Sequence, residues 1–143
     1  MFRIILIIIG GLVSCATPKD DPANKEIAIK LAARFYLHIA KGQYLKNTNY
    51  FEGELSRGEG DRRLKNVQSR VGNLLDFKIK SKKIKIKSSG DQIISVDYTL
   101  SCDAIYEKDS LKEQLQIHRK GNDFKIVDYN VYSKTDPNAG AWW

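Results

Sequence analysis

Residues 92–106, "QIISVDYTLSCDAIY", place Ile94, Val96, Tyr98, Leu100, Cys102, Ala104 and Tyr106 on one parity and Ser95, Asp97, Thr99, Ser101 and Asp103 on the other. An alternation this long is what a half-buried β-strand requires, with one face packed and one wet. The preceding "FKIKSKKIKIK" also alternates, but its apolar residues change parity between Phe77 and Ile79 on one side and Ile84 and Ile86 on the other. A bulge near Ser81 and Lys82 restores a single buried face. With "SGD" as a three-residue loop, Ile86 faces Ile94, Ile84 faces Val96 and Lys83 meets Asp97. Beyond the bulge Ile79 opposes Leu100 and Phe77 opposes Cys102. The segments "LKEQLQIHRK" and "FKIVDYNVY", joined by the turn "KGND", form a second hairpin with Leu115 and Ile117 in its buried set.

Upstream of Leu75 the period is helical. In "NKEIAIKLAARFYLHIAKG", Ile27, Leu31, Phe35 and Ile39 recur every fourth residue beside Ala28, Ala32 and Tyr36, with Asn24 as the expected N-cap and Gly42 closing the helix. A short helix is expected in "QYLKNTNYF", carrying Tyr44, Leu45 and Phe51. A loop follows in "EGELSRGEG", then a third helix in "DRRLKNVQSRVGNLL" with Asp61 as cap and Leu64, Val67, Val71 and Leu74 as its stripe. Helices followed by an antiparallel meander define an α+β domain, expected over residues 24–134. Before it, "ATPKDDPA" is polar and twice broken by proline, so residues 15–23 read as a tether. Residues 135–143 read as a C-terminal tail.

The first 14 residues have another purpose. Phe2 and Arg3 precede an apolar run, Ile4 to Ile9 with Leu12 and Val13, that falls short of the about 20 residues a bilayer span needs. Leu12, Val13, Ser14 and Cys15 resemble the lipobox of bacterial lipoproteins: a branched apolar residue, a variable one, a small one, then cysteine. The resemblance implies a diacylglycerol thioether on Cys15 and cleavage after Ser14. The lipid chains then hold the protein to the membrane at about 0.8 kcal/mol for each buried methylene. Ala16, not Asp, follows the cysteine, which favours the outer membrane in an envelope that has two. Lipidation leaves Cys102 as the second of two cysteines without an intramolecular partner, so no structural disulfide is expected. The chain has 24 Lys+Arg against 17 Asp+Glu, a formal +7 that loss of Arg3 lowers by one. That balance favours anionic lipid headgroups or wall polymers as neighbours and carries no nucleic-acid motif.

Three segments, "FYLHIAKGQY", "VGNLLDFKI" and "HRKGNDFKIVDY", resemble the nuclear transport factor two-like superfamily over about residues 24–134. The resemblance implies a cone of helices on a curved antiparallel sheet. It also implies two functional classes: enzymes such as ketosteroid isomerase and scytalone dehydratase, which work inside the cone, and non-catalytic binding domains.

The residues themselves favour the second class. His38 and His118 are the only histidines and show no metal-ligand spacing, so no metal and no cofactor is expected. His118 shares a strand parity with Lys112, Gln114 and Gln116 and is expected in solvent. Cys102 falls among inward apolar residues and reads as core. The lysines of "KIKSKKIKIK" read as a wet face that guards a strand against aggregation. A cavity, if the cone holds one, is lined by Tyr36, Tyr98, Cys102, Tyr106 and Asp128. Asp128 is the single acid considered as a base, and it is expected to be structural. No catalytic residue is assigned. The expected function is a membrane-anchored envelope lipoprotein that binds an apolar small molecule or a protein partner, with a small isomerase- or dehydratase-like enzyme as the alternative. Trp142 and Trp143 are candidates for membrane or partner contact, or for hydrophobic cover folded back onto the domain.

Overall fold

The computed structural model describes residues 18–134 and 141–142. Cys15 and Trp143, both singled out by the sequence, lie outside the described residues.

The first helix, α1, spans Pro22–Ala40. Its cap is Asp21, whose Oδ1 accepts from the Ala23 N–H at 2.8 Å, and Pro22 takes the first helical position, where an N–H has no partner anyway. The helix therefore starts upstream of Asn24, whose side chain instead donates to Asp20 Oδ1 at 3.1 Å. At the other end Gly42 adopts φ +66. Its N–H reaches Ile39 O at 2.9 Å while the Gln43 N–H reaches His38 O at 2.8 Å, the paired closure that a left-handed glycine permits. The buried stripe is Ala28, Ala32, Phe35, Tyr36 and Ile39. It is rotated from the expected one, and Ile27 is 45% exposed. Ala28 and Ala32 are fully buried, and Ile29 and Leu31 beside them pack partly against the core.

A 3-10 stretch, Tyr44–Tyr50, follows. The buried Asn47 pins it by donating to Phe35 O at 3.2 Å and pairing with His38 Nδ1 at 2.9 Å. Leu45 is 73% exposed and Phe51 is buried. The expected loop contains a 3-10 turn, Leu55–Arg57. The second helix, α2, spans Glu59–Val71 with Gly58 at its cap position, so Asp61 lies in the first turn and does not cap. Leu64, Val67 and Val71 are buried as expected, and Leu74 already belongs to the sheet. Gly60 meets the Phe51 ring so closely that a Cβ would overlap it.

Strands β1 (Leu74–Ser89), β2 (Gln92–Tyr106), β3 (Ser110–Lys120) and β4 (Asp123–Ser133) form one antiparallel sheet in sequence order. The bulge in β1 lies between Ile79 and Ser81, and Ile79, Ile84 and Ile86 all pack against the core. The register is two residues away from expectation: Ile84 faces Tyr98, Ile86 faces Val96, Ile79 faces Cys102 and Lys85 meets Asp97. Two features cause the shift. Ser89 pairs with Gln92 across a two-residue turn, and a second irregularity between Lys87 and Ser88 expels Ile94, which is 43% exposed, and turns Ile93 inward.

The sheet edges are treated differently. On the β4 side Phe51 bridges Ile126, the Glu52 N–H donates to Ile126 O at 3.0 Å, and the Trp142 N–H donates to Val131 O at 3.1 Å. On the β1 side the strand carries Lys78, Lys80, Lys82, Lys83, Lys85 and Lys87, the charged and bulged edge that discourages pairing with another chain.

Candidate functional site

The face of the sheet turned to the helices carries two polar clusters within an apolar core. The first is built on β3, where Leu111, Glu113, Leu115 and Ile117 share one parity and all four are buried. Glu113 is 1% exposed. Its Oε1 accepts from the Tyr106 hydroxyl at 2.5 Å, while Oε2 is buried without a well-formed hydrogen bond. Tyr36 from α1 and Tyr129 from β4 close the cluster, each stacked edge-on against Phe35, and Cys102 lies beside them on β2.

Among the described residues, the groups that act on the Glu113 carboxyl are tyrosine hydroxyls. Burial pushes its carboxyl up to about 7, against the hydroxyls of Tyr106, Tyr129 and Tyr36, which favour the charged form. Burial, and after it the Glu113 charge, raise Tyr36, Tyr106 and Tyr129 far above the usual phenol range. The same two causes push the Cys102 thiol up to about 12, so it is a protonated core residue and a poor nucleophile.

The second cluster joins the start of the described chain to the far end of β2 and β3. Asp20 accepts from the Tyr98 hydroxyl through a short bond, from Arg119 Nη2 at 2.8 Å and from Asn24 Nδ2 at 3.1 Å. Its side chain is 1% exposed and that of Arg119 11%. Burial works against the charge on Asp20, but Tyr98, Asn24 and Arg119 outweigh it and hold the carboxyl below its ordinary value. Burial and then the bond to Asp20 push the Tyr98 phenol up to about 12.

Tyr98, Cys102 and Tyr106 thus lie inward, as the alternation requires, and Tyr36 of α1 is buried with them; all four are part of the packed core. The void bounded by Ile39, Leu64, Val67, Tyr106 and Tyr129 is too narrow for a water molecule. Asp128 is not among the inward residues. It pairs with Gln116 beyond an irregularity in β4, its side chain is 41% exposed, and it accepts from Arg63 Nη1 at 3.1 Å and Asn130 Nδ2 at 2.6 Å. The extra residue before it turns it to the wet face as a strand-edge ligand for Arg63.

His118 lies on that outer face at partial exposure, with Nδ1 2.6 Å from Asp97 Oδ1. Trp142 folds back onto the core under the Arg70 guanidinium, 5.1 Å from its ring centre, and is cover in this structure. Among the described residues, no helix is long and apolar enough to cross a membrane, and no three of His, Cys, Asp and Glu gather where a metal ion could bind.

Glu113 and Asp20 are the carboxyls that reasoning from sequence missed. The signal for Glu113 was present, since it has the parity of Leu115 and Ile117; that for Asp20 was hidden by two flanking prolines. Comparison with protein families, with curated proteins and with solved structures finds no match.

Proposed function

We propose that this is a lipid-anchored protein of the bacterial cell envelope whose folded domain is a non-catalytic docking module for another envelope protein. The anchor reading rests on Leu12, Val13, Ser14 and Cys15, and Ala16 favours the outer membrane where there are two. The domain reading is carried by one observation: the interior is occupied by its own Tyr36, Tyr98, Glu113 and Tyr129, each 1% exposed or less. An apolar ligand inside the cone would have to displace them. The face of the sheet away from the helices instead offers part-exposed Thr99, Ser101, Gln114, Gln116 and His118, a hydrogen-bonding surface suited to a polar protein partner.

A photo-crosslinking residue at Gln116 in living cells tests this. The expected product is one discrete adduct with an envelope protein, lost on Thr99→Arg. An absent adduct, together with an apolar molecule that recurrently co-purifies, returns the small-molecule reading. Mass spectrometry tests the anchor: the mature chain should begin at a lipid-modified Cys15, and an intact chain starting at Met1 contradicts it.

A second reading, a small isomerase- or dehydratase-like enzyme resembling the nuclear transport factor two-like enzymes, draws on Glu113. A carboxyl near neutrality beside tyrosine donors is the combination proton-transferring sites use. Such a turnover should vanish in Glu113→Gln and persist in Asp128→Asn.

A further inference from the structure

Opposite its buried stripe, α1 exposes a second one. Ile27, Lys30, Arg34, Leu37 and Lys41 follow at helical spacing along one side, and all five are exposed, with Ile27 at 45% and Leu37 at 46%. Two large apolar side chains in the open, interleaved with three cations, make a poor solvent face. The one acid of α1, Glu26, flanks the stripe and pairs with Lys30 at 2.7 Å. Alongside runs an open groove of about 300 Å³ whose lining includes Ile27, Leu31 and Phe124 together with Lys30, Arg34 and Lys125. Long cationic side chains can lay their stems along apolar surface and direct their heads at phosphates, while Ile27 and Leu37 reach the acyl boundary.

The occupant follows from charge and from the chain that precedes the helix. Cys15 stands six residues before Asp21, a span of at most roughly 20 Å. On the lipid-anchor reading above, on which this inference rests, the first turn of α1 is held that close to a bilayer. We propose that the Ile27–Lys41 stripe docks on an anionic phospholipid surface. The helix then lies along the membrane, and the outer face of the sheet, on the other side of the domain, points away from it and is free for a partner.

The test reads proximity, since the anchor alone gives binding. Leu37→Cys in the full processed chain carries a thiol-reactive, environment-sensitive fluorophore; Cys102 is buried and stays unlabelled. Leu37 lies ten positions beyond Ile27, so the tether by itself does not hold it at the surface. On phosphatidylcholine vesicles containing phosphatidylglycerol, emission should rise roughly twofold over pure phosphatidylcholine and fall back at high salt. The same label on Leu75→Cys, on β1 outside the stripe and 63% exposed, should not respond. Reversing Lys30, Arg34 and Lys41 to Glu together should abolish the rise. Equal emission from the Leu37 label on both vesicles, or an equal response from Leu75, overturns the proposal. The mass of the same sample reports the Cys15 lipid separately. An unlipidated chain contradicts the anchor reading, and the Cys15→Ser chain added to the same vesicles then carries the same fluorescence test, in which no charge-dependent rise overturns the docking proposal.

Discussion

The two buried carboxyls of this domain differ in company, not in type. Asp20 and Glu113 each accept a tyrosine hydroxyl, and each is nearly free of solvent contact. Asp20 also faces Arg119 and stays charged; Glu113 faces only hydroxyls and a thiol and is pushed to about 7. Tyr98 and Tyr106, their partners on β2, are separated by roughly 25 Å of one strand. One sheet face therefore holds an ion pair at one end and, in mildly acid conditions, a neutral acid at the other. Asp20 stays charged because the Tyr98 hydroxyl and the Asn24 amide donate to it and Arg119 adds a counter-charge, whereas the hydroxyls around Glu113 do not offset its burial.

Removing the cation should have the largest effect. Arg119→Met leaves Asp20 buried beside Tyr98 without its counter-charge, at a cost of about 4 kcal/mol in urea unfolding at neutral pH. The Asp20 carboxyl should then titrate higher than in the parent, while the Tyr98 and Asn24 hydrogen bonds still favour its charged form. A loss under 1 kcal/mol means the pair is not buried in solution.

The next effect comes from pH. In the unfolded chain the Glu113 carboxyl loses its proton near the model-peptide value of 4.5, and in the fold near 7. Between those values the folded state holds more proton, so stability falls as pH rises, by about 3 kcal/mol in all. Asp20 acts the other way and lower: its contribution disappears as pH falls through its depressed value. Thermal melts should therefore be highest in mild acid and decline toward pH 7.5. Glu113→Gln, neutral throughout, should flatten the decline and leave the acid limb unchanged.

Gly60→Ala probes packing that involves neither carboxyl directly. The new methyl runs into the Phe51 ring, and the loss should be about 2 kcal/mol with no change in pH profile. The smallest effect belongs to the outer face. His118→Gln removes a partly exposed contact to Asp97 and should cost under about 1 kcal/mol.

The same contrast explains what was legible in the sequence. Alternation identified the inner face of β2 from Val96 to Tyr106 and the need for a bulge in β1, because period two leaves no freedom once one face is buried. It missed the register, since a two-residue turn and a second bulge at Ile94 differ from a three-residue loop only in local backbone geometry. The α1 stripe was misplaced because Ala28 and Ala32 weigh little in a hydrophobic pattern, although both are fully buried. Glu113 was passed over, although its parity placed it between the buried Leu111 and Leu115. Asp20 was assigned to the tether for its proline neighbours, and only the three-dimensional path brings it to Arg119, far along the chain.

The central claim is that the interior is closed and, around Glu113, free of charge in mild acid. Carbon NMR of the Glu113 side-chain carboxyl, titrated from pH 3 to 9 and assigned by Glu113→Gln, tests it most directly. The account predicts a midpoint near 7. A midpoint near the ordinary glutamate value, about 4.3, would mean that water or a cation reaches the carboxyl and would contradict the closed core.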